Sequence, residues 1–393
     1  MIPRHLRHLR VFLAVARERS VTRAAERCNV SQPAVTQALA RLEAEAGGPL
    51  FTRTRQGLFT TPRGDLLQAR VERMFAFLDP ALADIEPRLR VTATSARLQA
   101  LIAVAEGQNF TLAARGLGLS QPTVHRAVAQ LEEEAGRALF ERTSFGVLPT
   151  RRCAALARAA RLAFAELDQA EADLRELDGR DGGRIVVGAL PLSRSVVLPG
   201  ALAAFRRLRE RQPVTVLDGP YDEMLGGLRR GEIDFMLGAL RDPLPIGDVV
   251  QERLFDDSLR IVARPGHPVI GPEPASVAAL ARWSWVVPRR GTPTRAQFDA
   301  VFAVAGVAPP EGVVECGSIL LMRELLTRGD MIGCISARQA EAEIGHGLLA
   351  AIALPGSVPD RPIGLTFRSS WQPTRAQGLM LDLIRAEAAA LER

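Results

Sequence analysis

The sequence contains no lysine: all 50 basic residues among its 393 are arginine. That absence excludes a Schiff-base lysine and the phosphate-gripping lysine of a Walker loop. A genome biased towards arginine codons would account for it without any functional demand. Histidine is scarce as well. The five are His5, His8, His125, His267 and His346, and no two stand at metal-ligand spacing beside a carboxylate motif. The four cysteines, Cys28, Cys153, Cys316 and Cys334, form no C-x-x-C pair. That argues against a disulfide framework or a zinc site and fits a reducing compartment. No G-x-S-x-G elbow is present. Asp256-Asp257 is a paired carboxylate read as part of a loop, where such a pair is ordinarily solvated. Neither catalysis, a cofactor nor a metal is expected. No run of 18 apolar residues occurs, so no membrane span is expected. The opening MIPRHLRHLRVF lacks the apolar core of a signal peptide, and a cytoplasmic protein is expected.

What is present is unevenly spread. Residues 1–152 hold 22 arginines against 14 acidic residues, a net of +8. Residues 153–393 hold 28 against 30, a net of −2, and the two together give the chain's +6. A basic first part suits a polyanionic partner, although an ordinary solvated surface carries the same charge.

The same part is repeated. Ser20–Thr61 aligns with Asn109–Thr150 without a gap at an offset of 89, and about half of the positions are identical. Two copies at so long a period mark a duplicated domain, not a solenoid. Each copy opens on an apolar periodic helix: Leu9, Phe12, Leu13 and Val15 in one, Leu98, Leu101, Ile102 and Val104 in the other. A short helix follows with Ala24-Ala25 or Ala113-Ala114, small enough to let helices cross closely. Next come Ser31-Gln32-Pro33 and Ser120-Gln121-Pro122. Serine caps a helix, and proline in the first turn costs no hydrogen bond. Val35, Leu39 and Leu42, like Val124, Val128 and Leu131, then form a buried stripe at helical spacing. The opposite face offers Gln32, Ala34, Thr36, Gln37 and Arg41 in the first copy. In the second it offers Gln121, Thr123, His125, Arg126 and Gln130. Such side chains can reach base edges. Beyond Gly47 and Gly136, Leu50-Phe51-Thr52-Arg53 and Leu139-Phe140-Glu141-Arg142 lead into a β-wing. Its arginines, with Arg53, Arg55 and Arg142 as candidates, would contact phosphates.

This set of positions resembles the winged helix-turn-helix of LysR-type transcriptional regulators. The resemblance implies that Ser31, Gln32, Pro33, Ala34, Thr36, Gln37, Arg41, Arg53 and Arg55 meet double-stranded DNA. It implies the same of Ser120, Gln121, Thr123, His125, Arg126 and Arg142. The second copy departs more. His125 stands where the family usually has Ser or Thr, and Pro149–Cys153 replaces the Thr-Pro-x-Gly kept at Thr61–Gly64. Whether the second copy binds DNA or survives as a helical core unit stays open at this point.

Each copy is followed by a helical linker. Pro62 to about Leu89 is read as broken near Pro80 and Pro87. Arg151 to Leu177 is unbroken, with Leu156, Leu162, Leu167, Leu174 and Leu177 on its apolar side. The family resemblance makes this second linker the better dimerisation helix; packing on its own chain is the alternative. Asp178–Gly183 then reads as a hinge.

From residue 184 onwards strands and helices alternate. Arg184–Gly188, Val214–Leu217 and Asp234–Gly238 read as strands, with helices at Leu198–Arg211 and Glu223–Arg230 between them. That order implies a parallel sheet with ligands beyond its strand ends. The half resembles the LysR-type effector domain through Gly231-Glu232-Ile233-Asp234. Gly219-Pro220-Tyr221, Trp285–Pro288, Gly291-Thr292-Pro293, Asp330-Met331 and Arg361–Gly364 further resemble the subgroup named for the galactose-binding-protein regulator. The name of that subgroup does not identify a ligand.

The expected fold class is therefore multidomain. It has two all-α/winged-helix DNA-binding domains plus an α/β bilobed, periplasmic-binding-protein-like (type 2) effector domain. Residues 1–64 and 93–150 are the two winged helix-turn-helix domains, 65–92 the helical linker and 151–178 the dimerisation helix. Residues 184–393 are the effector domain, with one lobe of 184–256 and 362–393 and another of 257–361. Its cleft is expected to use Leu190, Pro191, Leu192, Ser193 and Arg194 from one side. Thr292, Pro293, Thr294, Gly317, Ser318 and Ile319 are expected from the other. Ser193 serves equally as a plain helix cap, and Arg194 equally as a solvated arginine. The implied partners are DNA, a small-molecule effector, a second copy of the chain (dimer or tetramer) and RNA polymerase. Two other readings are a cytosolic solute-binding protein and a DNA-binding protein whose C-terminal domain only assembles subunits.

Overall fold

Serine hydroxyls cap the third helix of each copy, at Ser31 and Ser120. The computed structural model describes residues 5–144, 146–244, 246–356 and 358–391. The chain forms two units, one running to Arg184 with Arg211–Pro213, the other Ile185–Glu210 with Val214–Arg393.

In the first unit, α1 (Leu6–Glu18), α2 (Val21–Cys28) and α3 (Gln32–Ala46) lead to a hairpin of β1 (Phe51–Thr54) and β2 (Gly57–Thr60). Then come α4 (Pro62–Ile85) and the short α5 (Leu89–Thr92). The pattern returns as α6 (Ser95–Gly107), α7 (Phe110–Leu117), α8 (Gln121–Ala135), a hairpin of β3 (Phe140–Thr143) and β4 (Gly146–Pro149), and α9 (Arg151–Leu177). Ser31 and Ser120 accept from the backbone N–H groups of Ala34 and Thr123. Thr61 and Thr150 cap α4 and α9 in the same way, accepting from Gly64 and Cys153. The expected stripes are buried, Val35, Leu39 and Leu42 in α3 and Val124, Val128 and Leu131 in α8.

The copies match in tertiary detail. Glu43 accepts from the N–H of Leu50 at 2.9 Å, and Glu132 from that of Leu139 at 2.8 Å. Each hairpin docks on the end of its first helix, where Leu58 N–H donates to Arg19 O and Val147 N–H to Gln108 O. Gly57 (φ 126°) and Gly146 (φ 138°) make that approach possible. A Cβ there would lie 2.7 Å or 2.6 Å from those same carbonyl oxygens. Arg17 pairs with Glu72 in the first copy, and the equivalent Glu106 and Arg161 pair with the charges exchanged.

The helices α4 and α9 pack against each other along their lengths. Arg63 at the start of α4 pairs with Asp178 past the end of α9. Arg70 meets Gln169 (2.6 Å), Glu166 (3.3 Å) and Asp173 (2.8 Å), Arg73 meets Glu166 (3.0 Å), and Asp84 meets Arg152 (3.4 Å). As one number rises the other falls, so the helices are antiparallel. Burial pushes the Asp173 carboxyl up, against the pull of Arg70.

Two sequence expectations are corrected here. Pro80 does not break α4, which runs through it to Ile85, while the stop before Pro87 is real. A mid-helix proline costs roughly 3 kcal/mol. Here Leu78, Leu82 and Ile85, all buried in the shared core, hold the helix together across it. On α9 the buried side is built largely of Ala157, Ala160, Ala163 and Ala170 beside Leu156, Leu167 and Leu174. Leu162 is half-buried and Leu177 exposed. Alanine brings the facing helix close enough to occlude it.

In the second unit, β5 (Ile185–Ala189), a 3-10 turn (Pro191–Arg194), α10 (Leu198–Leu208), β6 (Val214–Leu217), α11 (Tyr221–Arg230), β7 (Phe235–Ala239) and β8 (Val249–Asp257) come first. Next are β9 (Leu259–Ala263), α12 (Val277–Leu280), β10 (Trp285–Val287), α13 (Pro293–Val304), β11 (Val313–Glu315), α14 (Ile319–Thr327), β12 (Ile332–Ser336), α15 (Ala337–Gly345) and β13 (Ala350–Ile352). Last are β14 (Arg361–Arg368) and α16 (Arg375–Ala390). Two five-stranded sheets result, β6-β5-β7-β14-β8 and β11-β10-β12-β9-β13. The first is mixed, not wholly parallel: β6, β5 and β7 are parallel, and β14 runs antiparallel to β7 and β8. Each sheet has its own apolar cluster, around Phe205, Phe235 and Phe255 in one and Trp285, Phe298 and Phe302 in the other.

Asp256 and Asp257 also differ from expectation. They end a strand, so alternate residues face opposite ways. Asp256 pairs with Arg253 outside, whereas Asp257 is 3% exposed and holds Ser336 Oγ (2.8 Å) and Arg361 (3.1 Å). Burial lowers the Arg361 guanidinium from its usual value, and Asp257 opposes that shift.

Candidate nucleic-acid interface and ligand pocket

Because α3 buries Val35, Ala38, Leu39 and Leu42, helical geometry turns the remaining side chains outward. Ser31, Gln32, Pro33, Ala34, Thr36, Gln37 and Arg41 are all exposed, as are Ser120, Gln121, Thr123, His125 and Arg126. In the first copy, Gln32, Pro33, Thr36 and Gln37 line an open groove of about 1050 Å³ with Arg53 and Arg55 of the hairpin. Arg19 and Arg23 close its other wall. The groove thus combines an amide- and hydroxyl-bearing helix with flanking guanidinium groups. Thr36 donates to Gln32 O at 3.1 Å, and Arg41 lies 3.3 Å from Glu45, so these two are held in place on the helix. Sequence reasoning did not select Arg19 and Arg23, which lie on the turn before α2 and on α2 itself. Only folding brings that segment beside α3.

The second copy presents the same face with other groups. The Ser120 and Thr123 hydroxyls lie 2.8 Å apart, and Thr111 donates to Gln121 at 3.3 Å. The His125 ring lies tilted against Phe110 with centroids 5.1 Å apart, and Phe110 also meets Phe140. Arg142 is exposed on β3, the position equivalent to Arg53 on β1.

In the second unit, Arg241, Arg290, Gly291, Thr292, Pro293, Arg295, Ala296 and Asp299 line a pocket of about 520 Å³. Of the effector candidates, Thr292 and Pro293 stand in it. Thr292 caps α13, accepting from Arg295 N–H and donating to Arg289 O. Thr294 is bound to Arg361. Ser318 caps α14 with Gly317 before it and Ile319 after, outside this pocket. Leu190, Leu192 and Ser193 are buried, Pro191 and Arg194 exposed, and none lines it. The Ser193 hydroxyl donates to Leu190 O at 2.7 Å, and Arg194 pairs with Asp218.

The pocket's arginines were not selected from the sequence. Arg295 is held by Asp299 (2.8 Å) and Glu315 (2.9 Å), and Glu315 also takes Arg290 (3.1 Å). These hydrogen bonds keep the Glu315 carboxyl below the usual carboxylate range. Arg241 has no carboxylate partner among the described residues. It lies over the Tyr221 ring at 4.4 Å and donates to Gly291 O at 3.3 Å. The run Arg289-Arg290-Gly291-Thr292-Pro293-Thr294-Arg295 was the available signal. Among the described residues no cluster suited to a metal ion occurs, and no helix is long and apolar enough to cross a membrane.

The comparisons with known proteins agree with this geometry. The family of bacterial regulatory helix-turn-helix proteins of the lysR type matches twice, at residues 6–65 and 95–154, and the LysR substrate binding domain matches residues 178–389. The HTH-type transcriptional regulator GalR of Pseudomonas putida is 37% identical over 388 residues, covering 97% of this chain and 96% of its own. That alignment therefore runs through both helix-turn-helix segments. The regulator YdcI of Escherichia coli is 30% identical and covers 94% of its own length against 73% of this chain. Full-length CbnR, solved in complex with its target DNA, has the same fold: TM-score 0.52, 23% identity, 74% of this chain and 98% of that one. The chain belongs to the LysR family and is a DNA-binding transcription regulator with a C-terminal substrate-binding domain.

Proposed function

We propose that both copies are winged helix-turn-helix modules that bind double-stranded DNA, and that a small anionic effector in the C-terminal domain controls them. The first copy would read bases with Gln32, Ala34, Thr36, Gln37 and Arg41 from an α3 opened by Ser31 and Pro33. Arg53 and Arg55 would hold phosphates. The second would use Ser120, Gln121, Thr123, His125 and Arg126, with Arg142 on the backbone. The observation that carries this reading is the equivalence of the two copies in caps, hairpin docking and buried stripe. The exposed face of α8 also keeps amide, hydroxyl, imidazole and guanidinium groups able to reach base edges.

The effector site is proposed at the Arg241, Thr292, Pro293 and Arg295 pocket of a bilobed, periplasmic-binding-protein-like domain. Arg241 is the group best suited to an anion, since no carboxylate among the described residues pairs with it. Leu190–Arg194 and Gly317–Ile319 would complete the cleft when a ligand draws its walls together. The protein would work in the cytoplasm as a homo-oligomer, and contact with RNA polymerase would convert binding into transcription.

Gel shifts on the gene's own upstream region test the DNA reading. A preference over random DNA that falls steeply with salt is expected; no preference would refute it. A panel of small carboxylates and phosphates tests the pocket. At least one should raise the thermal midpoint of the full chain and not of Arg241→Ala. A panel that raises neither would count against an anionic effector.

A further inference from the structure

The pairing of α4 with α9 constrains the symmetry of the DNA this chain reads. Both helices leave homologous modules at the same residue. Thr61 and Thr150 are equivalent caps, and each helix packs on the first helix of its own copy. Two modules related by simple translation would send their helices out parallel. Here they run antiparallel, and each end of the pair carries an arginine–aspartate contact. Arg63 reaches an aspartate at the far end of α9, and Arg152, its counterpart 89 positions on, reaches an aspartate towards the end of α4. Homologous bodies joined in this way are related by an approximate two-fold axis normal to the helix pair. Rotation about that axis leaves height along it unchanged. The modules therefore stand at one level with α3 and α8 running in opposite senses.

We propose that a single chain reads an inverted repeat with two unequal arms, α3 on one arm and α8 on the other. This rests on the reading that both copies bind DNA. Two-fold related recognition helices call for inverted half-sites. The arms must differ, because equivalent exposed positions carry different groups. Gln37 corresponds to Arg126, and Thr36 to His125. A glutamine amide matches the N6 and N7 edge of adenine, whereas arginine matches the O6 and N7 edge of guanine. At the position under these residues, the first arm should present adenine and the second guanine.

The test is selection of bound sequences from random duplex DNA by the full chain and by Gln37→Ala and Arg126→Ala. Both residues are exposed, so both variants should fold. The selected site should contain two inverted, unequal arms. Gln37→Ala should relax one base in one arm and Arg126→Ala one base in the other, each by about tenfold. Arms in direct orientation would overturn the proposal. So would one variant relaxing both arms alike while the other relaxes neither, which would mean that copies of one module from two chains read the site. A single arm sensitive only to Gln37→Ala would overturn the underlying reading of the second copy as well. Selection of no sequence at all would refute DNA recognition itself.

Discussion

The two copies of the helix-turn-helix region share an interior and differ in their surfaces. Inside, Leu42 answers to Leu131, Glu43 to Glu132 and Gly57 to Gly146, each in the same contact. Outside, Ala34, Thr36, Gln37 and Arg41 answer to Thr123, His125, Arg126 and Gln130. Even where a charged pair persists, its signs are exchanged, as between Arg17–Glu72 and Glu106–Arg161. The difference separates two demands. Packing restricts what can fill a core, whereas an exposed face is free to take on a second target. One junction differs in space as well as chemistry. A Cβ at Gly64 would collide with the Leu50 carbonyl, yet the equivalent place holds Cys153, fully buried with its thiol pushed up to about 12. The second copy therefore enters its linker with a little more room.

The largest effect should come from breaking what joins the copies. Arg70→Ala leaves the half-buried Asp173 without its arginine and the buried Glu166 with Arg73 alone, and should cost about 3–5 kcal/mol in denaturant unfolding. Arg152→Ala, at the exposed end of the same helix pair, should cost under about 1 kcal/mol. Equal effects would mean that the buried network does not join the copies. Next are the hairpin glycines. Gly57→Ala and Gly146→Ala should each destabilise by roughly 1–3 kcal/mol, since both meet a carbonyl and a left-handed backbone. A deficit at only one would show that the docking is not equivalent. The caps should matter less, with Ser31→Ala and Ser120→Ala costing about 1 kcal/mol each by thermal unfolding.

The smallest effect distinguishes the copies by pH. A hydrogen bond from Thr92, then one from Arg97, holds the Glu134 carboxyl below its usual value in the second copy. A depressed folded value adds stability that is complete above the unfolded value of 4.5 and drains away as pH falls through the folded one. Glu134→Gln should therefore lower the thermal midpoint near neutral pH and hardly at all near pH 3. A deficit that persists in acid would point to packing instead.

Much of this was legible because its signals are local. Ser-Gln-Pro, the apolar periodicity of α3 and α8, and the glycines all act within a few residues. What the sequence hid was long-range. Pro80 looked like a break because its cost is local and its compensation, the core around Leu78 and Leu82, is not. The α9 stripe was read from leucines, although alanines supply much of the contact, since small residues signal nothing until a neighbour is placed against them. Asp257 looked solvated because Arg361 and Ser336 are 104 and 79 residues away. The pocket arginines escaped for the same reason, with Arg241 and Gly291 meeting only in the fold.

The central claim is that both copies engage DNA together, and the salt dependence of binding tests it most directly. The slope of log affinity against log salt becomes shallower by about 0.9 for each phosphate the protein no longer neutralises. Arg53→Ala and Arg142→Ala occupy equivalent exposed places on β1 and β3, so each should reduce the slope by about one on the same DNA. A slope reduced by Arg53→Ala and untouched by Arg142→Ala would contradict it, leaving the second copy off the DNA.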